Sequence, residues 1–167
     1  MDDYSNGSQK SEGRHEHGQE MEALDQEVRR KRRRNEELVT MLREYSMSIT
    51  MATYTNLRLC DYIDLNPPYK RSKSIEDLKE ELKILEEIDY HLTCASYHEF
   101  KHKEAMEVLY DYYEKQQEAL TRERNDEDLE KELEMLQETT LAAETAIYHF
   151  KKEREARASF EKKIKAN

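Results

Sequence analysis

The fold is decided by residues 69–167, whose sequence is YKRSKSIEDLKEELKILEEIDYHLTCASYHEFKHKEAMEVLYDYYEKQQEALTRERNDEDLEKELEMLQETTLAAETAIYHFKKEREARASFEKKIKAN. This run of 99 residues contains neither glycine nor proline, and it follows the pair Pro67-Pro68. Because these two residues are the ones that most often interrupt helices, their absence favours very long helices.

The composition points to the same kind of protein. Charged residues make up 40% of the 167 residues and hydrophobic residues 36%, which suits amphipathic helices and coiled coils better than a compact globule. The net charge of −10 argues against indiscriminate nucleic-acid binding. The start is polar and no long apolar run occurs, so we expect an intracellular protein, cytoplasmic or nuclear, with at most peripheral membrane contact.

A seven-residue repeat begins at Met21, after a Ser-, Gly- and Gln-rich segment for which we expect disorder (residues 1–19). Its positions alternate three and four residues apart, and most are apolar, as in a coiled-coil seam. They are Met21, Leu24, Val28, Lys31, Asn35, Leu38, Leu42, Tyr45, Ile49, Ala52, Asn56, Leu59 and Ile63. The two asparagines either set the register of a parallel dimer or mark local polar interruptions.

Two further helices are predicted in residues 75–167. Ser74, with Asp77 three residues later, can cap a helix over about 75–124, and Asn125 followed by three acids restarts a third helix. Short links between long helices indicate antiparallel neighbours, so we predict an all-α protein: three long antiparallel helices in an elongated coiled-coil bundle (residues 20–167), which dimerises. The seam residues expected to carry assembly are Leu38, Leu42, Leu133, Leu136, Ile147 and Phe150.

The charge is unevenly distributed. Residues 29–34 are six consecutive basic residues, and residues 151–167 carry a net charge of +4, whereas residues 125–150 carry −7. In a folded hairpin, residues 31, 105 and 145 fall at about one level, which would form a basic belt able to bind an anionic membrane. The belt residues are Arg29, Arg30, Arg32, Arg33, Lys101, Lys151 and Lys152. The alternatives are a solvated helix face paired with nearby acids and a nuclear localisation signal.

Catalytic chemistry is not indicated. No glycine follows Gly18, so a phosphate-binding loop and a nucleophile elbow are excluded beyond that residue, and we expect no enzyme activity and no cofactor. His91, Cys94, His98 and His102 share one face of the second helix, where a metal would need ligands from another helix. We interpret them as partly buried polar side chains and predict no metal site.

The last two helices resemble the BAR domains of the sorting nexin family. The similarity lies in Val108–Leu120 (VLYDYYEKQQEAL), Leu129–Leu136 (LEKELEML), Ile147–Arg154 (IYHFKKER) and Phe160–Ile164 (FEKKI). This resemblance implies a three-helix antiparallel coil that dimerises, binds curved anionic membranes and serves endosomal sorting and protein transport. The alternative function is a coiled-coil scaffold subunit of an intracellular or nuclear protein complex.

Overall fold

The computed structural model describes residues 8–65, 74–118 and 124–166, with side chains described for 13–47, 74–117 and 124–163. These residues form three helices, α1 (Ser8–Leu65), α2 (Ile75–Glu118) and α3 (Asp126–Ala166), and no strand. The prediction of an all-α bundle of three long helices is therefore confirmed. The Pro67-Pro68 turn and the seam positions from Ile49 to Ile63, including Asn56, lie outside the described side chains.

The first helix is longer than its heptad repeat. It begins at Ser8, within the segment whose composition predicts disorder, and its residues 13–20 are all exposed. From Met21 onward the positions of the repeat face the other helices, and Val28, Asn35, Leu38 and Leu42 are buried. At about 1.5 Å per residue the 58 residues of α1 extend about 87 Å.

Both later helices begin with reciprocal caps. The Ser74 hydroxyl accepts a hydrogen bond from the backbone N–H of Asp77 at 3.1 Å, and the Asp77 carboxylate accepts one from the Ser74 backbone at 3.3 Å. Asn125 and Asp128 form the same pair at the start of α3, at 2.9 Å and 3.2 Å. The capping predictions at both sites are confirmed.

The third helix is the centre of the bundle. It runs antiparallel to α2, because His91 meets His149 and Tyr113 meets Glu132, and parallel to α1. Arg34 lies 3.6 Å from Glu144, the Tyr45 ring stacks on Phe150 and Arg32 pairs with Glu132, so the register of α1 on α3 differs from the predicted pairing of residues 31 and 145 by about one to four turns. α1 and α2 both pack against α3 but contact each other little.

Two apolar clusters hold the three helices together. One joins α1, α2 and α3 near the middle of α3, and its buried members are Leu38, Leu42, Ala95, Ala143, Ala146, Ile147 and Phe150. The other lies near the start of α3 and contains Val28, Leu109, Leu129 and Leu136, with Leu133 and Met106 packed against it. Burying each large side chain of this kind stabilises the fold by about 1.5–3 kcal/mol.

Candidate functional site

An apolar stripe lies exposed on the first half of α2. Its members follow the three- and four-residue spacing of a coiled-coil seam but face outward, and they are Ile75, Leu78, Leu82 and Leu85. The neighbouring Ile84 and Ile88 are half-buried, so α2 turns another face towards the bundle. We call these four residues the α2 stripe; such a contiguous apolar seam is typical of an interaction surface.

A groove separates α1 from α2 because both helices rest on α3. It contains two cavities of about 780 Å³ and 610 Å³, which share Met106 and Tyr110 in their walls. Along α2 the lining extends from Glu99 to Gln117, which is about 27 Å of helix. We call this feature the α1–α2 groove.

Two buried polar side chains line the α1–α2 groove with atoms that lack a hydrogen-bond partner among the described residues. They are Asn35, through Oδ1, and His102, through Nε2. Asn35 is 5% exposed and donates its one hydrogen bond through Nδ2 to Met106 Sδ at 3.3 Å. Leaving a buried polar atom unpaired is costly, so these two atoms are a local energetic penalty beneath the groove surface.

The cations of the predicted basic belt are largely engaged with acids on their own helices. Arg29 pairs with Asp25 at 2.9 Å, Arg30 with Glu27 at 2.6 Å, Lys101 with Glu104 at 3.2 Å and Lys152 with Glu155 at 3.3 Å. Arg33 and Lys151 are exposed, and no ion pair with another described residue involves either of them. The pairing is the pattern expected of a solvated helix face.

Arg32 occupies a different environment from the rest of the basic run. Its guanidinium forms an ion pair with Glu132 of α3, whose side chain is 0% exposed, and lies 5.5 Å from the centre of the Tyr113 ring. Arg124 also pairs with Glu132, and the Tyr113 hydroxyl donates to the same carboxylate at 2.6 Å. We call these residues the Glu132 network; through it, α1, α2 and Arg124, which lies shortly before α3, all bind one buried carboxylate of α3.

Electrostatics within the Glu132 network favour the ionised carboxylate. Burial would raise the pKa of Glu132, but the hydrogen bonds from Arg32, Tyr113 and Arg124 outweigh it and lower the pKa below its ordinary value. Burial and the neighbouring carboxylate both raise the pKa of the Tyr113 hydroxyl, so it remains a donor. The sequence did not single out Glu132, because its partners are far away along the chain; the one signal was an acid inside the Leu129–Leu136 stripe.

The six residues predicted to carry assembly lie inside the single chain. Leu38, Leu42, Leu136, Ile147 and Phe150 are buried, and Leu133 packs against the second cluster. They are therefore covered by the other helices of the same chain. The α2 stripe, which is exposed among the described side chains, lies outside that set.

A cluster of histidines and tyrosines lies between α2 and α3. His91 Nδ1 lies 3.0 Å from His149 Nδ1, and the His98 ring stacks parallel to the His149 ring with centres 5.9 Å apart. The three histidines each follow a tyrosine, in the pairs Tyr90-His91, Tyr97-His98 and Tyr148-His149. That repeated dipeptide was the available signal for His149, which spacing along α2 alone could not reveal.

Burial disfavours the protonated form of two histidines on these helices, His102 and His149. His91, Cys94 and His98 are half-buried and His102 is buried, which confirms their interpretation as partly buried polar side chains. Burial, with the nearby His91 and His98, lowers the pKa of His149. Burial also lowers the pKa of His102, so both favour the neutral form.

A second buried ion pair lies farther along α3. Glu153 and Arg157 bond to each other one turn apart, and both are buried. Burial raises the pKa of Glu153, and the attraction of Arg157 only partly opposes this. The end of the apolar pattern at Arg157 therefore marks an inward-facing polar pair.

Within the described residues, no group of three or more histidine, cysteine or acidic side chains is arranged to hold a metal ion. The described helices likewise include none that is both long and apolar enough to cross a bilayer. Comparison with protein-family models, curated proteins and solved structures found no match to this chain.

Proposed function

We propose that this chain is a non-enzymatic helical scaffold that assembles with other protein chains through α2. The observation that carries the proposal is the exposed α2 stripe, a coiled-coil seam with no covering helix among the described residues. The α1–α2 groove adds a second surface on the same helix. We call this role the scaffold function; the partner would determine whether the chain is located in the cytoplasm or in the nucleus.

The test is affinity capture of the full chain from its own cells together with an untagged copy. A variant with Leu78→Glu and Leu82→Glu removes the stripe, while Leu141→Glu, at an equally exposed apolar site on α3, is the matched control. We expect a stoichiometric companion chain, either the untagged copy or another protein, to be lost in the stripe variant and retained in the control. Companions that are identical for all three proteins would contradict the scaffold function.

Peripheral binding to anionic membranes is the second candidate function. It is favoured by Arg29, Arg30 and Arg33, which are exposed within one run of α1, and it agrees with the BAR resemblance, with an endosomal location and with a role in protein transport. Each cation near an anionic surface contributes about 1 kcal/mol when its internal pairing is given up at little cost. Arg32 is left out of this surface because its guanidinium binds Glu132.

Liposome co-sedimentation at low and high salt tests this candidate. The variant Arg29→Glu, Arg30→Glu and Arg33→Glu is compared with Lys79→Glu, Lys83→Glu and Lys115→Glu, which changes the net charge equally at exposed sites on α2. Salt-sensitive binding lost only in the arginine variant would support a membrane module. Absence of binding by the unmodified chain, or equal loss in both variants, would reject it.

A further inference from the structure

The α2 stripe and the α1–α2 groove have complementary shapes. Ile75, Leu78, Leu82 and Leu85 remain 67%, 51%, 56% and 44% exposed along about 15 Å of helix. The groove is about 27 Å long, and its α2 wall includes Met106 and Leu109. A helix with an apolar seam is the shape that fits between two helices packed on a third.

Both features lie on α2 at positions that a two-fold axis can exchange. The stripe is centred near residue 80 and the α2 wall of the groove near residue 108, so their midpoint is near residue 94. An antiparallel second copy about that point brings Leu78 opposite Tyr110 and Leu82 opposite Met106. At about 100° per residue, Leu82, Leu85 and Tyr110 fall within about 80° of one another, so Tyr110 lies on the face that carries the stripe, whereas Met106 lies about 120° from Leu82.

The charges of the two segments are also complementary. Residues 75–90 contain seven acidic and two basic residues, a net charge of −5. Residues 28–43 of α1, which form the other wall of the groove, contain seven basic and two acidic residues, a net charge of +5. Of these, Arg43 lines the groove, whereas the guanidinium of Arg32 is bonded to Glu132. The α2 wall, residues 99–117, contains five acidic and three basic residues, so the two walls together carry a net charge of +3. An acidic helix with an apolar seam is therefore favoured over a basic one.

We infer that the occupant of the α1–α2 groove is the α2 stripe of a second copy of this chain. Each copy inserts its stripe into the other's groove, so the interface is isologous and closes as a dimer. The inference rests on the proposed scaffold function, because it uses the α2 stripe as the association surface.

Sedimentation velocity of the purified full chain tests the self-association. We expect a dimer for the unmodified chain and for Leu141→Glu, and a dissociation constant at least 100-fold weaker for the stripe variant Leu78→Glu with Leu82→Glu. The groove variant Tyr110→Glu changes a residue that is 58% exposed, so it should stay folded and yet also be monomeric. Circular dichroism verifies the helix content of each variant.

Mixing the two monomeric variants distinguishes insertion into the groove from stripe-on-stripe pairing. One copy then supplies an intact groove and the other an intact stripe, so a heterodimer with one complete contact should form and sediment as a dimer. Failure of the mixture to dimerise would overturn the groove assignment. An unmodified chain that stays monomeric would overturn the second copy as partner, whereas a companion captured through the stripe would still uphold the scaffold function.

Discussion

At the scale of single residues, Glu132 links separate parts of the fold, because its one buried charge is bonded by Arg32 of α1, by Tyr113 of α2 and by Arg124, which lies shortly before α3. Glu132→Gln keeps the shape but leaves Arg32 and Arg124 without their counter-ion. Both arginines are more than 30% exposed and can partly turn to water, so we expect a loss of about 2 kcal/mol in the free energy of unfolding.

Urea unfolding measures this change. Glu134→Gln is the matched control, since Glu134 is exposed on the same helix and its removal should cost less than about 0.5 kcal/mol. Equal stability of the two variants would show that the Glu132 network contributes nothing beyond packing.

The half-buried His149 and the buried His102 make the free energy of unfolding depend on pH, in a higher pH range than Glu132 does. Because the pKa values of His149 and His102 are lowered in the folded state, the unfolded chain binds more protons below about pH 6.5. Their contribution to stability is therefore present above that pH and is lost as the pH falls through the folded-state values. Glu132, whose pKa is also lowered, loses its contribution only below its ordinary value of 4.5.

We therefore expect the free energy of unfolding to fall between pH 7 and pH 5, and to fall less in a variant with His149→Gln and His102→Gln. Glu153, whose pKa is raised, acts in the opposite direction and is the same in both proteins, so the comparison isolates the histidines. A slope that is identical in the unmodified chain and in the double variant would contradict the role of His149 and His102.

For whole elements, the caps at Ser74 and Asn125 have the same geometry but different consequences. The first turn of α3 includes Leu129, which is buried, whereas the first turn of α2 includes the exposed Leu78. Asn125→Ala should therefore lower the global free energy of unfolding by about 1 kcal/mol. Ser74→Ala should instead increase local opening, which is seen as faster amide hydrogen exchange confined to the start of α2. Equal global losses for both variants would contradict this difference.

The elements themselves could be predicted because their signals are local. Caps lie within three residues of a helix start, and the α1 heptad identified the inward positions Val28, Leu38 and Leu42. Local spacing could not show which apolar stripe of α2 faces outward, because that depends on where α3 lies. The opposite roles of Arg32 and Arg33, adjacent in one basic run, follow from a partner 100 residues away along the chain.

As a whole molecule, the protein is an extended rod. α1 alone extends about 87 Å, whereas a compact protein of this length has a radius of gyration of about 15 Å. A rod of that length has a radius of gyration of about 25 Å, and small-angle X-ray scattering of the monomeric stripe variant should give a value near it. A radius of gyration near 15 Å would show that α1 is bent and that the chain is compact in solution.

The length of the particle also reports how two copies meet. Because Asn35 contacts Met106, a two-fold axis near residue 94 of α2 lies beside Met47 of α1. α1 begins at Ser8, which is 39 residues or about 58 Å from that level, so two antiparallel copies extend about 117 Å end to end. We expect scattering from the unmodified dimer to give this maximum dimension, about 30 Å more than the monomer. Pairing at the tips of the rods would give a particle approaching about 170 Å, and pairing in full side-by-side overlap would leave the length near 87 Å, so either result would exclude the axis near residue 94.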